Sequence, residues 1–180
     1  YAIQGKGNPN SSFFPEYIGV LYSLSYAIRM SPKNGIEPEG YYQYTVYPLE
    51  GVWDLKEEAK QNFNGVLNKD DLVFTLMIRQ PDFVEEDYAY RIIEETKKKK
   101  PHKLLDQVTF EKMTEGECIQ MMHIGSYDSE PESFRKMEHF AEEEQLKRIS
   151  KQHREIYLND PRKTSPNKLK TVLRFQVESK

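Results

Sequence analysis

His123-Ile124-Gly125-Ser126-Tyr127-Asp128-Ser129-Glu130-Pro131-Glu132-Ser133-Phe134, HIGSYDSEPESF, decides how the chain is read. The apolar run CIQMMHIG at 118–125 reads as a strand that ends in glycine. A polar turn follows. Ser129-Glu130-Pro131-Glu132 has the S-x-x-E form of a capping box, with proline in the first turn. A helix is expected from there to about 149, with Phe134, Met137, Phe140 and Ala141 as its inner face. The same order of events occurs near the start of the chain. A short strand over 1–7 runs into GKGNPN, and Asn10, Ser11 and Ser12 are good helix caps. The helix that follows, to about 30, carries Phe14, Tyr17, Ile18, Leu21, Leu24, Ser25 and Ile28 at helical spacing. GKGNPNSSFF thus answers HIGSYDSEPESF.

Extended segments complete each half. In the first half they are YYQYTVYPLEGVW at 41–53 and LVFTLMIR at 72–79. Pro48 argues for an edge or a bulge in the first of these. Pro81-Asp82 opens a helix to about 100, where Lys97-Lys98-Lys99-Lys100 suits the negative end of the helix dipole. The second half begins with a strand over 107–113. It ends with HREIYLNDP at 153–161 and LKTVLRFQV at 169–177. The chain therefore reads as one domain over 1–180, built from two pseudo-symmetric β-α-β-β halves at about 1–100 and 107–180. The fold class is α+β: an antiparallel sheet with helices on one face and a central groove between the repeats. Grooves between repeats are common ligand sites.

HREIYLNDP has a period of two, with Ile156 and Leu158 on one side and Glu155 and Tyr157 on the other. Asn159-Asp160-Pro161 ends it with turn chemistry. A carboxylate and a phenol on one strand face have two readings. The face meets water, with Glu155 paired across the ladder to Arg174 or Lys170; or it lines a cleft, where Glu155 meets a ligand cation or a water. Trp53 divides the same way, between core and cleft. Tyr42 and Tyr44 share one face of their segment, and Met77 and Arg79 oppose Leu76 and Ile78. All four are candidates for the groove lining, with Arg79 otherwise a structural ion pair. Met121, His123 and Tyr127, from CIQMMHIG and the turn after it, are further wall candidates. His123 reads more readily as a hydrogen-bonded structural histidine than as a base.

Composition narrows the chemistry. The chain has 180 residues, 12 of them Tyr, and tyrosine-rich clefts suit flat organic molecules. A net charge of -3 gives no overall basic balance toward nucleic acid. A single cysteine, Cys118, rules out an intramolecular disulfide and fits a reducing cytoplasm. No apolar run is long enough to span a membrane. P-loop, G-x-G-x-x-G, C-x-x-C, H-E-x-x-H and G-x-S-x-G patterns are absent, and the four histidines are scattered, so neither a cofactor nor a metal is expected. Tyr1 falls inside a strand, so native residues are expected before it.

Five blocks, in order, resemble the GyrI-like small-molecule-binding family, also called bacterial effector-binding domains. They are IQGKGNPNSSFFPEYIGVLYSLSYAIRM, YPLEGVW, LMIRQPDFVEED, MMHIGSYDSEPESF and HREIYLNDPRKTSPNKLKTVLRFQV. The resemblance implies a duplicated, SHS2-like fold with a cleft for bulky aromatic or cationic compounds. It also implies a buried glutamate, for which Glu155 is the match, and lining aromatics, for which Trp53 and Tyr157 are the candidates. With no helix-turn-helix in the sequence, the chain is similar to stand-alone members that sequester drugs. Two alternatives come with the resemblance. One is a hydrolase that opens the cyclopropane ring of DNA-alkylating natural products, with Glu155 activating water and Tyr157 donating to the oxyanion. The other is an interaction module that regulates DNA gyrase.

Overall fold

A computed structural model describes all 180 residues, Tyr1–Lys180. In chain order the elements are β1 (Ala2–Lys6), α1 (Phe14–Arg29), β2 (Leu49–Leu55), α2 (Glu57–Gln61), β3 (Leu72–Ile78), α3 (Glu86–Lys99), β4 (Cys118–Ile124), α4 (Glu130–Glu143), β5 (Leu146–Arg148), β6 (His153–Tyr157) and β7 (Lys170–Ser179). The class is α+β, and the strand pairings within each unit are antiparallel. Two compact units form, Tyr1–Leu49 with Leu67–Lys112, and Glu50–Val66 with Met113–Lys180. Residues 50–66 thus leave their sequence half and join the second unit, because β2 hydrogen-bonds to β6.

In the first unit β1 pairs with β3, Ala2 opposite Met77 and Lys6 opposite Val73. Val20, Leu21, Leu24, Ser25 and Ile28 form the buried stripe of α1. Ser25 is tolerated there because its hydroxyl donates to the Leu21 carbonyl and accepts from Gln80 Nε2 at 2.9 Å. Gly5 has the Phe74 ring where a Cβ would stand, and that ring packs edge-on to Phe14 and Tyr17. The segment before β2 joins no ladder until Leu49, and Pro48, which has no N–H to donate, stands directly before the strand. The strand expected over 107–113 is absent apart from one bridge, Ala2 to Thr109. A 3₁₀ turn at Lys103–Gln107 precedes that stretch, capped by His102 Nδ1 accepting from the Leu104 N–H, and it buries Leu104 and Leu105.

In the second unit the strands run β2-β6-β7-β4, with β5 on the far end of β7. One face is packed by α4. Ile119, Leu173, Phe175 and Val177 meet Met137 and Ala141, with Met121, Phe134 and Leu146 at the margin. Burying each large apolar side chain contributes about 1.5–3 kcal/mol. Phe140, expected on the inner face of α4, is 48% exposed instead. The helix also stops six residues early, at Glu143. Gln145 turns the chain at φ 60, and Leu146–Arg148 then pairs with Arg148 opposite Val177. The expected capping box does not form. The Ser129 hydroxyl donates to the Ser126 carbonyl at 2.7 Å rather than capping α4.

Candidate functional site

β6 lies between β2 and β7, with Glu155 opposite Gly51 on one side and Leu173 on the other. The alternation in HREIY therefore places His153, Glu155 and Tyr157 on the face that α4 packs, while Ile156 and Leu158 take the more open face. Glu155 is 8% exposed and does not meet Arg174 or Lys170. Arg174 instead faces Arg154 across the ladder, and both guanidinium groups bind Glu115 on the other face.

Both oxygens of Glu155 are held. Tyr157 Oη donates to Oε2 at 2.7 Å, and His153 Nε2 lies 2.9 Å from Oε1. Trp53 Nε1 donates in turn to Tyr157 Oη at 2.7 Å. The result is a chain from indole to phenol to carboxylate to imidazole. Its geometry depends on Gly51. A Cβ there would stand 2.7 Å from Trp53 Nε1 and 3.1 Å from Tyr157 Oη. The missing side chain lets the two polar atoms meet above the strand.

Aromatic rings surround this chain. Tyr127 stands edge-on to Tyr157 at 6.0 Å, and Phe134 edge-on to His153 at 4.8 Å. Arg148 lies over Phe134 and Phe175 and is anchored by Glu138 at 2.9 Å. The Tyr157 phenol is pushed well above the usual tyrosine range, first by burial and then by the Glu155 charge. Burial, with Glu155 and Glu130 behind it, pushes the Tyr127 phenol up to about 12. Both hydroxyls therefore remain O–H donors at neutral pH. Glu130, buried in the first turn of α4, is a second carboxylate near both rings.

The structure brings Trp53, Tyr127, Glu155 and Tyr157 together. His123 lies in β4, across β7 from β6, and its ring is taken up locally. Nδ1 contacts the Ser133 hydroxyl at 2.9 Å, and Nε2 faces the Ser126 carbonyl and the Ser129 hydroxyl. It clamps the turn from β4 to α4. Met121 lines a different hollow of about 370 Å³, with Cys118, Ile119, Gln120, Lys136, Met137 and Phe140. No residue of the Glu155 chain lines that hollow. Tyr42, Tyr44, Met77 and Arg79 belong to the first unit. There Tyr41, Tyr42 and Tyr44 gather round Phe83 at 5.2–6.0 Å. Arg79 lies over Tyr47 at 5.2 Å and pairs with Asp82, and Met77 is buried. Four residues of the Glu155 surroundings are not singled out as site residues by the sequence: His153, Gly51, Glu130 and Phe134, the last expected only in the helix core. A glycine inside the strand LEGVWDL was the available signal for Gly51. No group of three or more His, Cys, Asp or Glu side chains is placed to hold a metal ion.

The description of the GyrI-like small molecule binding domain matches residues 1–178. The chain belongs to the GyrI-like family. A structure described as a hydrolase from Listeria innocua is 34% identical, with TM-score 0.86, covering 98% of this chain and 85% of that one. An uncharacterized conserved protein from Listeria innocua is 36% identical, with TM-score 0.86, covering 98% and 86%. The C-terminal domain of EcmrR, 12% identical with TM-score 0.56 over 100% of this chain and 90% of that one, shares the fold alone. No protein with a curated description matches. As a GyrI-like domain the chain is a small-molecule-binding protein. None of its helices is long and apolar enough to cross a membrane.

Proposed function

We propose that this GyrI-like domain binds bulky aromatic or cationic small molecules against Glu155, for sequestration or detoxification. The observation that carries the reading is a buried carboxylate inside a ring of aromatics, Trp53, Tyr127, Phe134 and Tyr157. Ring faces supply apolar area and attract cations. The carboxylate supplies a charge that is worth most where water is excluded, about 4 kcal/mol for a close pair at an effective dielectric of 20.

A second reading has its own support, in the Listeria innocua structure described as a hydrolase. On this reading the site opens strained electrophiles, such as the cyclopropane ring of DNA-alkylating natural products. Glu155 takes a proton from water as the water oxygen bonds to the ring carbon. The carbon–carbon bond breaks toward the conjugated carbonyl, whose oxygen then receives a proton, so the product gains one water. Tyr157 already donates to Glu155, so it serves first to orient that carboxylate and turns to the oxyanion only when the carboxylate is protonated.

Titration of Trp53 fluorescence with flat aromatic compounds, followed by mass spectrometry of each mixture, tests both readings. Quenching with unchanged mass identifies a binder. Quenching plus a gain of one water in a cyclopropane-bearing alkylator identifies a hydrolase. No quenching by any compound defeats both readings and leaves the gyrase-interaction alternative, to be tested by pull-down without a small molecule. Glu155→Gln is expected to weaken cationic aromatics by about tenfold or more, since it removes the charge and keeps the shape. Equal affinity would remove Glu155 from the site.

A further inference from the structure

We propose that His153 occupies the position on Glu155 that a ligand's cation takes, so that acidity decides whether the site prefers neutral or cationic compounds. This inference rests on the reading of Glu155 as the binding carboxylate. The imidazole Nε2 lies 2.9 Å from Glu155 Oε1, while Oε2 is filled by the Tyr157 hydroxyl. Each oxygen of Glu155 thus already has one partner within the fold. A ligand cation that approaches Oε1 or Oε2 along these directions competes with His153 or Tyr157. Tyr157 is the harder to move, because Trp53 holds its oxygen from the other side. His153 is the easier. Its side chain is 21% exposed against 11% for Glu155, so it forms the outer layer of the pair. Its ring rests edge-on against Phe134 at 4.8 Å, with no hydrogen bond to hold that side. Its other nitrogen, Nδ1, reaches the Lys151 carbonyl only at 3.4 Å.

Both nitrogens face acceptors. A doubly protonated ring satisfies both, and a neutral ring satisfies one. The protonated ring is therefore the tight competitor and neutralises Glu155, leaving an aromatic site of no net charge for neutral ligands. The neutral ring yields its place more easily and leaves the carboxylate charge for a cation. No other cation is placed to do this. From β5 Arg148 is bound to Glu138, and Lys151 binds the same carboxylate. From β2 the facing residue is Trp53, which does not titrate, and from α4 it is Phe134. Arg154 lies on the opposite face of the strand with Glu50 and Glu115. Glu130 bears on the Tyr127 and Tyr157 side.

A matched pair of probes tests this: N-methylquinolinium, permanently charged, and 1-methylnaphthalene, its neutral isostere. Calorimetric titration is run at about pH 5.5 and about pH 8, either side of the ordinary histidine range. Buffers of different ionisation heat at each pH report proton release. The charged probe is expected to bind on the order of tenfold more tightly at the higher pH, with release of a proton at the lower pH. The neutral probe is expected to change by less than about twofold. His153→Gln keeps a donor-sized side chain and is expected to abolish the pH slope for the charged probe. A slope that persists in His153→Gln would assign the titration to Glu155 itself and overturn the proposal. So would a flat response in the wild type, a comparison that does not depend on the variant's folding. Glu155→Gln separates the two levels of argument. If it leaves the charged probe's affinity unchanged, or if neither probe binds the wild type, the reading of the site fails and this inference with it. If Glu155→Gln weakens the charged probe while the wild-type slope is absent, the site stands and the role of His153 alone falls.

Discussion

Gly51 shows how much a single atom decides. It faces Glu155 across the ladder, and the absence of its Cβ allows Trp53 Nε1 to reach Tyr157 Oη. Gly51→Ala is expected to displace the indole and break that bond. The cost is about 1–3 kcal/mol, combining a lost hydrogen bond with local overpacking. A shifted indole N–H resonance with an otherwise conserved amide spectrum is the signature. An unchanged resonance would show that the strand yields instead. Tyr157→Phe removes the same hydroxyl from the other side. It leaves Trp53 without that acceptor and Glu155 Oε2 without that donor, so a destabilisation of similar size is expected in urea unfolding. That Glu155 and Tyr157 share a face was legible from the two-residue period of HREIY. That both are buried was not, since a period says which residues lie together and not which side is covered.

At the scale of elements, α4 and β5 reveal where local signals lose to packing. The run from Phe134 to Ile149 supports a long helix by composition, yet the chain turns at Gln145 with φ 60. Pairing of Leu146–Arg148 with β7 prevails there, and it carries Arg148 over Phe134 and Phe175. A left-handed conformation is strained for a residue with a Cβ. Gln145→Gly is therefore expected to stabilise the protein by up to about 1 kcal/mol, visible as a higher urea midpoint at unchanged slope. A lower midpoint would mean that the Gln145 side chain contributes contacts worth more than the strain. Phe175 lies at the centre of the α4 packing, and Phe175→Ala is expected to cost about 3–5 kcal/mol. Chemical denaturation of the pair of variants measures both effects. Ser129-Glu130-Pro131-Glu132 predicts a capping box, but the Ser129 hydroxyl turns to the Ser126 carbonyl and His123 Nε2 instead.

For the whole molecule the raised phenols, Tyr157 and the partly exposed Tyr127, make alkali the weak side. The folded chain holds the Tyr127 proton up to about 12 against an ordinary tyrosine near 10, and Tyr157 is raised in the same sense. Between those values the unfolded chain binds fewer protons than the folded one. This contribution to stability is thus fully present below pH 10 and is lost as pH rises toward about 12. Urea midpoints are expected to fall through this window, and Tyr127→Phe is expected to make the fall shallower. An identical alkaline profile in the variant would assign the loss to other groups. Residues 50–66 also belong to this scale, since their pairing with β6 decides which compact unit holds Trp53.

By itself the sequence determined the α+β class, helices α1, α3 and α4, the principal strands of each repeat, the family, and the placing of Glu155 and Tyr157 on one strand face. The class, the elements and the shared face follow from short-range periodicity and turn residues, which act within a few positions along the chain, whereas the family follows from the five blocks that resemble it. Only the tertiary structure decided that β2 lies beside β6, that Gly51 clears the space for Trp53 and Tyr157, and that His153 fills the second oxygen of Glu155. The first two join residues about a hundred positions apart, and the third, between residues two apart on one strand, turns on which face the helix covers. No local pattern carries that information, because burial and hydrogen-bond partners are properties of the packed whole.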